Sequence, residues 1–233
     1  MSGSEIKVKA KDGGTFSAYV ARPSAAKAPG IVVIQEIFGV NANIREIADG
    51  LAKAGFIAIA PDLFWRQEPG IQLTDQTEAE WQKAFQLYQG FDVDKGVEDI
   101  AATIAALRAD PAHNGKVGAV GYCLGGLLAY LTSTRTDADA AVGYYGVGIE
   151  GKLDEAKTMH GRLMLHVAAK DQFVPPEAQA AVKAGLAGNP KASVHVYEGQ
   201  DHAFARPGGQ HYDKASADLA NGRTLEFFRA NLG

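Results

Sequence analysis

The sequence is poor in the features that mark several protein classes. Cysteine occurs once, as Cys123, so an intramolecular disulfide is excluded and the chain fits a reducing compartment. Lysine and arginine, 23 together against 27 acidic residues, form no cluster, and a net charge of −4 carries no nucleic-acid footprint. No stretch reaches the roughly 20 apolar residues needed to cross a bilayer. The start, Met1-Ser2-Gly3-Ser4-Glu5, lacks the basic residues and apolar run of a signal peptide. The histidines lack close ligand spacing such as H-x-x-x-H, so no metal is expected. A phosphate-cradling glycine loop is absent too, and no cofactor is implied. Repeats, low-complexity tracts and linkers are missing. The expectation is a cytoplasmic monomer that works on a small molecule, away from membranes and nucleic acid.

What is present fits one α/β domain spanning residues 1–233. The chain is 46% apolar and 21% charged, close to the soluble average. Alternating residues at 6–9 and 15–21 flank Lys11-Asp12-Gly13-Gly14 and read as a hairpin. Buried-type strands are expected at 31–35, 56–60 (stopped by Pro61), 116–120, 141–145, 162–167 and 193–197. Helical spacing predicts helices at 43–54, 78–89, 93–108, 124–134, 176–186 and 216–231. Asn43 with Glu46 resembles a capping box, and Gly55 can end that helix. Strands alternating with helices imply a doubly wound, mostly parallel sheet with helices on both faces and an antiparallel N-terminal hairpin.

Gly121-Tyr122-Cys123-Leu124-Gly125 has the form G-x-nucleophile-x-G between a strand and a helix, the context this motif requires. Its glycines allow strand and helix to approach around a strained turn that lifts Cys123 over the sheet. The helix N-terminus favours a thiolate there, and the Leu124 N–H points at a developing oxyanion. The plainer alternative is a buried structural cysteine on a tight turn.

In such folds the order along the chain is nucleophile, acid, histidine. His202 follows the strand ending near Tyr197, where a base can reach Cys123. His166 and His195 lie within strands, and His113, His160 and His211 lie in polar stretches expected to be solvated. Asp171 follows the strand ending at Val167 and could fix the tautomer of His202. Asp201 is the rival, although sequence neighbours rarely orient one another well; otherwise it is a turn residue.

These residues, with Gln35-Glu36-Ile37-Phe38-Gly39, Pro61-Asp62-Leu63, Gly143-Tyr144-Tyr145-Gly146 and His202-Ala203-Phe204, resemble the dienelactone hydrolase (carboxymethylenebutenolidase) family of α/β-hydrolases over nearly the whole chain. The resemblance implies a catalytic triad of Cys123, His202 and Asp171. It implies that Glu36 holds the resting thiol and takes its proton when substrate binds, and that Ile37 supplies an oxyanion-hole N–H beside that of Leu124. The implied substrates are dienelactones from chlorocatechol breakdown, hydrolysed to maleylacetate. Without the resemblance, Glu36 could equally cap a nearby turn.

The departure lies in carboxylate recognition. The family places two arginines near the substrate carboxylate. Arg206, four residues after His202, matches one, whereas Trp81 stands at the position of the other and cannot make a bidentate ionic contact. Trp81, Phe85 and Tyr88 share a helix face that could line an apolar pocket wall with Phe38. Alternatively, Arg206 is a solvated loop charge and Trp81 an ordinary helix contact. Two further readings stay open: a broader carboxylesterase of the same fold, and a non-catalytic binding protein or thiol sensor.

Overall fold

The structure, a computed structural model, describes residues 3–233. Met1 and Ser2, the first residues of the segment read above as lacking a leader, lie outside the described residues. Hydrogen bonding orders the strands β1-β2-β4-β3-β5-β6-β7-β8 in an eight-stranded sheet, and the chain divides into two compact units, Met1–Ala119 and Val120–Gly233.

The first unit opens with the expected hairpin. Strands β1 (Ser4–Lys9) and β2 (Thr15–Ala21) pair antiparallel from Ser4 opposite Val20 to Lys9 opposite Thr15. Gly13, at φ 92°, supplies the left-handed turn residue between them. Strand β2 also pairs antiparallel with β4 (Ile57–Pro61), which runs parallel to β3 (Ala28–Ile34). Every residue of β3 and β4 is buried, so both faces of these strands are covered. The cover comes from α1 (Ala42–Lys53) and α3 (Val93–Ala109), which both pack against β3 and β4. Helix α2 (Glu78–Gln89) starts on Thr77, whose side chain accepts from the Glu80 N–H. Strand β5 (His113–Tyr122) ends this unit and enters the next.

In the second unit, α4 (Leu124–Arg135) leads to β6 (Ala140–Tyr144), a 3-10 helix (Ile149–Thr158) and β7 (Arg162–Ala168). Then come α5 (Pro176–Leu186), β8 (Ala192–Tyr197) and α6 (Lys214–Leu232). Strands β6, β7 and β8 are parallel, and α4 and α6 both pack against β6 and β7.

Three expectations need correction. The cap of α1 is Asn41, whose side chain accepts from the Ile44 N–H at 3.2 Å, so Asn43 and Glu46 lie inside the helix and form no capping box. Pro61 is the last residue of β4, opposite Ala18; it ends the strand from within, as proline can where its ring needs no ladder hydrogen bond. His113 opens β5 and is buried, its ring bonded to Lys116 O at 2.9 Å, rather than solvated in a loop. The 3-10 helix at Ile149–Thr158 was not expected from the helical spacing.

Close approach at the start of α4 depends on glycine. A Cβ on Gly121 would lie 1.8 Å from Gly125 O, and one on Gly126 would lie 2.6 Å from Tyr144 O. Gly222, inside α6, would set a Cβ in open space, with nothing within 4 Å. Gly121→Ala is therefore expected to lose at least about 1–3 kcal/mol, the usual cost of overpacking, whereas Gly222→Ala should gain up to about 1 kcal/mol from helix propensity. Urea unfolding of both variants checks this; equal effects would show that the turn tolerates a side chain.

Candidate active site

In the second unit the strand-to-helix turn sets Cys123 at φ 57° and ψ −116°, as the cap residue of α4. Its N–H donates to Tyr144 O at 3.1 Å, and its carbonyl accepts from Gly126 N at 2.9 Å. Cys123 is half-buried and faces the loops after β7 and β8 through His202. Leu124 contributes the first N–H of the helix, and its side chain is fully buried.

His202 is buried, and its Nδ1 donates to Asp171 Oδ2 at 2.8 Å. The other Asp171 oxygen accepts from the Phe173 N–H at 2.9 Å. Asp201 is engaged elsewhere, its Oδ1 accepting the His202 backbone N–H at 2.6 Å and the Gln172 N–H at 3.1 Å. Of the two candidate carboxylates, Asp171 thus meets the imidazole and Asp201 holds the backbone. Burial is the largest single influence on His202 and pulls its pKa down. The opposing charge of Cys123, with hydrogen bonds from Asp171 and Cys123, outweighs it and raises the pKa to about 10. These partners favour the protonated ring, which is hydrogen-bonded to a carboxylate on one side and to sulfur on the other. Such a pair can present a thiolate to an electrophile and return a proton to a leaving group.

Two aromatic residues enclose this imidazole, and neither was singled out as a site residue in the sequence. Tyr145 meets it edge-on with ring centroids 5.1 Å apart, and Phe173 does so at 4.8 Å. Among the described residues only Cys123, Tyr145 and Ala203 are non-glycine residues with positive φ, at 57°, 38° and 62°. Strain of this kind persists only where the surroundings over-determine it, and it gathers at functional sites. The one available signal was the Gly143-Tyr144-Tyr145-Gly146 segment, which gave no hint of a left-handed tyrosine. Arg206 is half-buried on the turn after His202, its backbone N–H donating to Ala203 O at 3.0 Å.

The remaining candidates belong to the first unit. Glu36 and Ile37 follow β3 and are buried. Gln35 braces this segment: its side chain accepts the Leu63 N–H at 3.0 Å and donates to Glu36 O at 3.3 Å. Asp62, held above the usual carboxylate range chiefly by burial, accepts from the Phe64 and Gly70 N–H groups. Gly39, at φ 77°, lets the chain pass Ile71, whose carbonyl would lie 2.0 Å from a Cβ. Phe38 packs edge-on against Trp81 at 5.0 Å, and Trp81 stacks on Phe85 at 5.5 Å. The Trp81 indole N–H donates to Asp75 O at 3.0 Å, so the residue is anchored at both ends. Phe85 is exposed and Tyr88 half-buried. Among the described residues no group of three or more His, Cys, Asp or Glu is placed to hold a metal ion, and no helix is long and apolar enough to cross a membrane.

The sequence model of the dienelactone hydrolase family matches residues 16–232. A relative from Azospirillum brasilense is 49% identical over 233 residues, covering 98% of this chain and 99% of its own. The carboxymethylenebutenolidase of Pseudomonas putida is 44% identical over 222 residues, 95% of this chain and 94% of that one. A metagenomic structure described as a dienelactone hydrolase-like promiscuous phosphotriesterase aligns over 100% of both chains with a TM-score of 0.83 and 26% identity. A family match over nearly the whole chain, with relatives this similar, means that the protein belongs to the dienelactone hydrolase family, has the α/β-hydrolase fold and is a carboxylic ester hydrolase.

Proposed function

We propose that residues 1–233 act as one hydrolase domain that opens the lactone ring of dienelactones to maleylacetate through Cys123, His202 and Asp171, in the cytoplasm and as a monomer. Relatives named carboxymethylenebutenolidase support dienelactone hydrolysis. The observation that carries the residue assignment is the strained Cys123 at the start of α4, hydrogen-bonded to an imidazole that Asp171 holds from the far side.

In this reading the thiolate of Cys123 attacks the lactone carbonyl. The developing oxyanion takes the Leu124 N–H and, by family resemblance, that of Ile37. The acyl–oxygen bond breaks, and His202 gives its proton to the departing ring oxygen. Neutral His202 then takes a proton from water as it attacks the thioester; the carbon–sulfur bond breaks, the acid leaves, and the Cys123 thiolate beside protonated His202 is regenerated. The role of Glu36 as acceptor of the resting thiol's proton rests on the resemblance alone. Arg206 is the cation for a substrate carboxylate, and Phe38, Trp81, Phe85 and Tyr88 form an apolar wall for the rest of the substrate. A second reading, a broader carboxylesterase, is favoured by Trp81: its indole is committed to Phe38, Phe85 and the Asp75 carbonyl and brings no positive charge.

Cys123→Ala should abolish turnover without unfolding the protein, and wild-type-like turnover would end the nucleophile assignment. His202→Ala should cost about 10²–10⁴-fold in kcat. Asp171→Asn should cost somewhat less than His202→Ala but more than Asp201→Asn, and the reverse order of the two aspartates would mean that the wrong one has been assigned. The pH profile gives a separate check. Because His202 keeps its proton up to about pH 10, the alkaline limb of kcat/KM should fall near that value. A limb near the ordinary histidine value of roughly 6.5 would contradict the ion pair. For specificity, Arg206→Ala should lower kcat/KM for a carboxylate-bearing lactone by roughly 10–150-fold, the equivalent of about 1.5–3 kcal/mol for a charged hydrogen bond, with little change for a neutral aryl ester. Trp81→Arg should move selectivity toward the anionic lactone. Equal losses on both substrates in Arg206→Ala would favour the esterase reading.

A further inference from the structure

Behind the site, on the side of α6, runs a chain of polar side chains for which the chemistry above has no use. Arg223 Nη1 donates to Tyr197 Oη at 3.1 Å, and Tyr197 Oη lies 2.8 Å from His166 Nδ1. His166 Nε2 lies 3.0 Å from Thr224 Oγ1, which lies 2.6 Å from Tyr144 Oη; Tyr144 Oη in turn lies 2.9 Å from Asn221 Oδ1. His166, Thr224 and the rings of Tyr144 and Tyr197 are buried.

The direction of every bond follows from its ends. Asn221 Oδ1 can only accept, so Tyr144 donates there and must accept from Thr224, Thr224 in turn accepts from His166 Nε2, and Nδ1 of the neutral ring accepts from Tyr197, whose oxygen accepts from Arg223. Burial, with the charges of His195 and Arg223, lowers the His166 pKa to about 3, so the ring is neutral and carries its proton on Nε2. That proton goes to Thr224, whose hydroxyl donates to Tyr144, whose hydroxyl donates to Asn221. Each polar group in the chain is satisfied in only one arrangement, and Thr224 is the link between β7 and β6.

The backbone of the same two strands holds the site. Tyr144 O accepts the Cys123 N–H at 3.1 Å, and His166 O accepts the Tyr145 N–H at 2.7 Å. Tyr145, forced to φ 38°, is the residue whose ring lies against His202. The side chains that fix Tyr144 and His166 therefore fix the two carbonyls that hold the strained turn and the strained tyrosine.

We infer that Thr224 is a positioning residue for the nucleophile, acting through Tyr144 and His166 to hold the Cys123 turn in its reactive geometry. The inference rests on Cys123 being the reacting group. Thr224 touches no reacting atom, and its effect belongs in kcat and in thiol reactivity, not in substrate binding. Misplacement of a reacting group by about 1 Å can cost about 10²-fold in rate.

The test compares Thr224→Val, which keeps shape and removes the hydroxyl, with Thr224→Ser, which keeps the hydroxyl. Three quantities are measured: kcat, KM and the second-order rate of alkylation by iodoacetamide at pH 7. The chain has one cysteine, so alkylation reports Cys123 alone. Thr224→Val should lower kcat by about 10-fold or more, leave KM within about twofold and slow alkylation in step, as expected for misplacement short of the ~10²-fold limit. Thr224→Ser should restore all three to within about threefold of the parent by keeping the hydroxyl link. Unchanged alkylation in Thr224→Val, or Thr224→Ser as damaging as Thr224→Val, overturns the inference. If Thr224→Val fails to fold, Arg223→Leu at the half-exposed end of the chain decides: slowed alkylation with unchanged KM supports the inference, and parent-like alkylation overturns it. Failure of the triad reading shows up elsewhere, as turnover surviving in Cys123→Ala.

Discussion

The proposed site hangs on one backbone turn. Cys123 is held at φ 57°, a conformation that costs a non-glycine residue of order 1–3 kcal/mol. The turn can be that tight only because Gly121 and Gly126 leave no side chain between β5, α4 and β6. The turn places sulfur at the start of a helix, where the aligned peptide dipoles favour negative charge. The same turn commits the Cys123 N–H to Tyr144 O, which ties the cysteine to the neighbouring strand. Without it, His202 and Asp171 would be an ordinary buried ion pair with nothing to activate.

The strength of that pair comes from competition. A buried histidine with no anionic partner loses its proton, and His166 on β7 does so, with burial and the nearby His195 and Arg223 lowering its pKa to about 3. His202 is similarly buried but gains a carboxylate and a sulfur, and its pKa rises to about 10. Two imidazoles in one unit are thereby set on opposite sides of neutrality by their neighbours. One is a fixed hydrogen-bond link between Tyr197 and Thr224, and the other, in the proposed mechanism, carries a proton.

Much of this was legible in the sequence, unevenly. Helices α2 and α5 have the expected limits because local chemistry sets them: Thr77 caps one, and Pro176 starts the other. Strands β3 and β5 start earlier than expected because pairing partners, invisible in a single sequence, decide where a strand begins and ends. The elbow could be read from the segment Gly121 to Gly125, and at Gly121 a side chain would meet the Gly125 carbonyl. The cap of α1 lies two residues before the expected one because Asn41 and Asn43 are equally good caps on paper and only the backbone chooses. Nothing local marks Tyr145 as left-handed or Thr224 as more than a helix residue, because both are fixed by groups distant in sequence. The tie between Asp201 and the His202 backbone could likewise not be told from a turn by composition.

That tie has a consequence for how this site can be changed. Asp201 accepts N–H groups from His202 on its own loop and from Gln172 on the loop after β7. Lys170 N donates to Gln200 O at 2.8 Å and Ala169 N to Tyr197 O at 3.1 Å. The loop that carries Asp171 and the loop that carries His202 are stitched together at several points besides the bond between those two side chains. They form a single exchangeable cassette. Recombination or loop grafting that moves one without the other would break backbone hydrogen bonds as well as the bond between Asp171 and His202, so the two segments can be exchanged only as a pair.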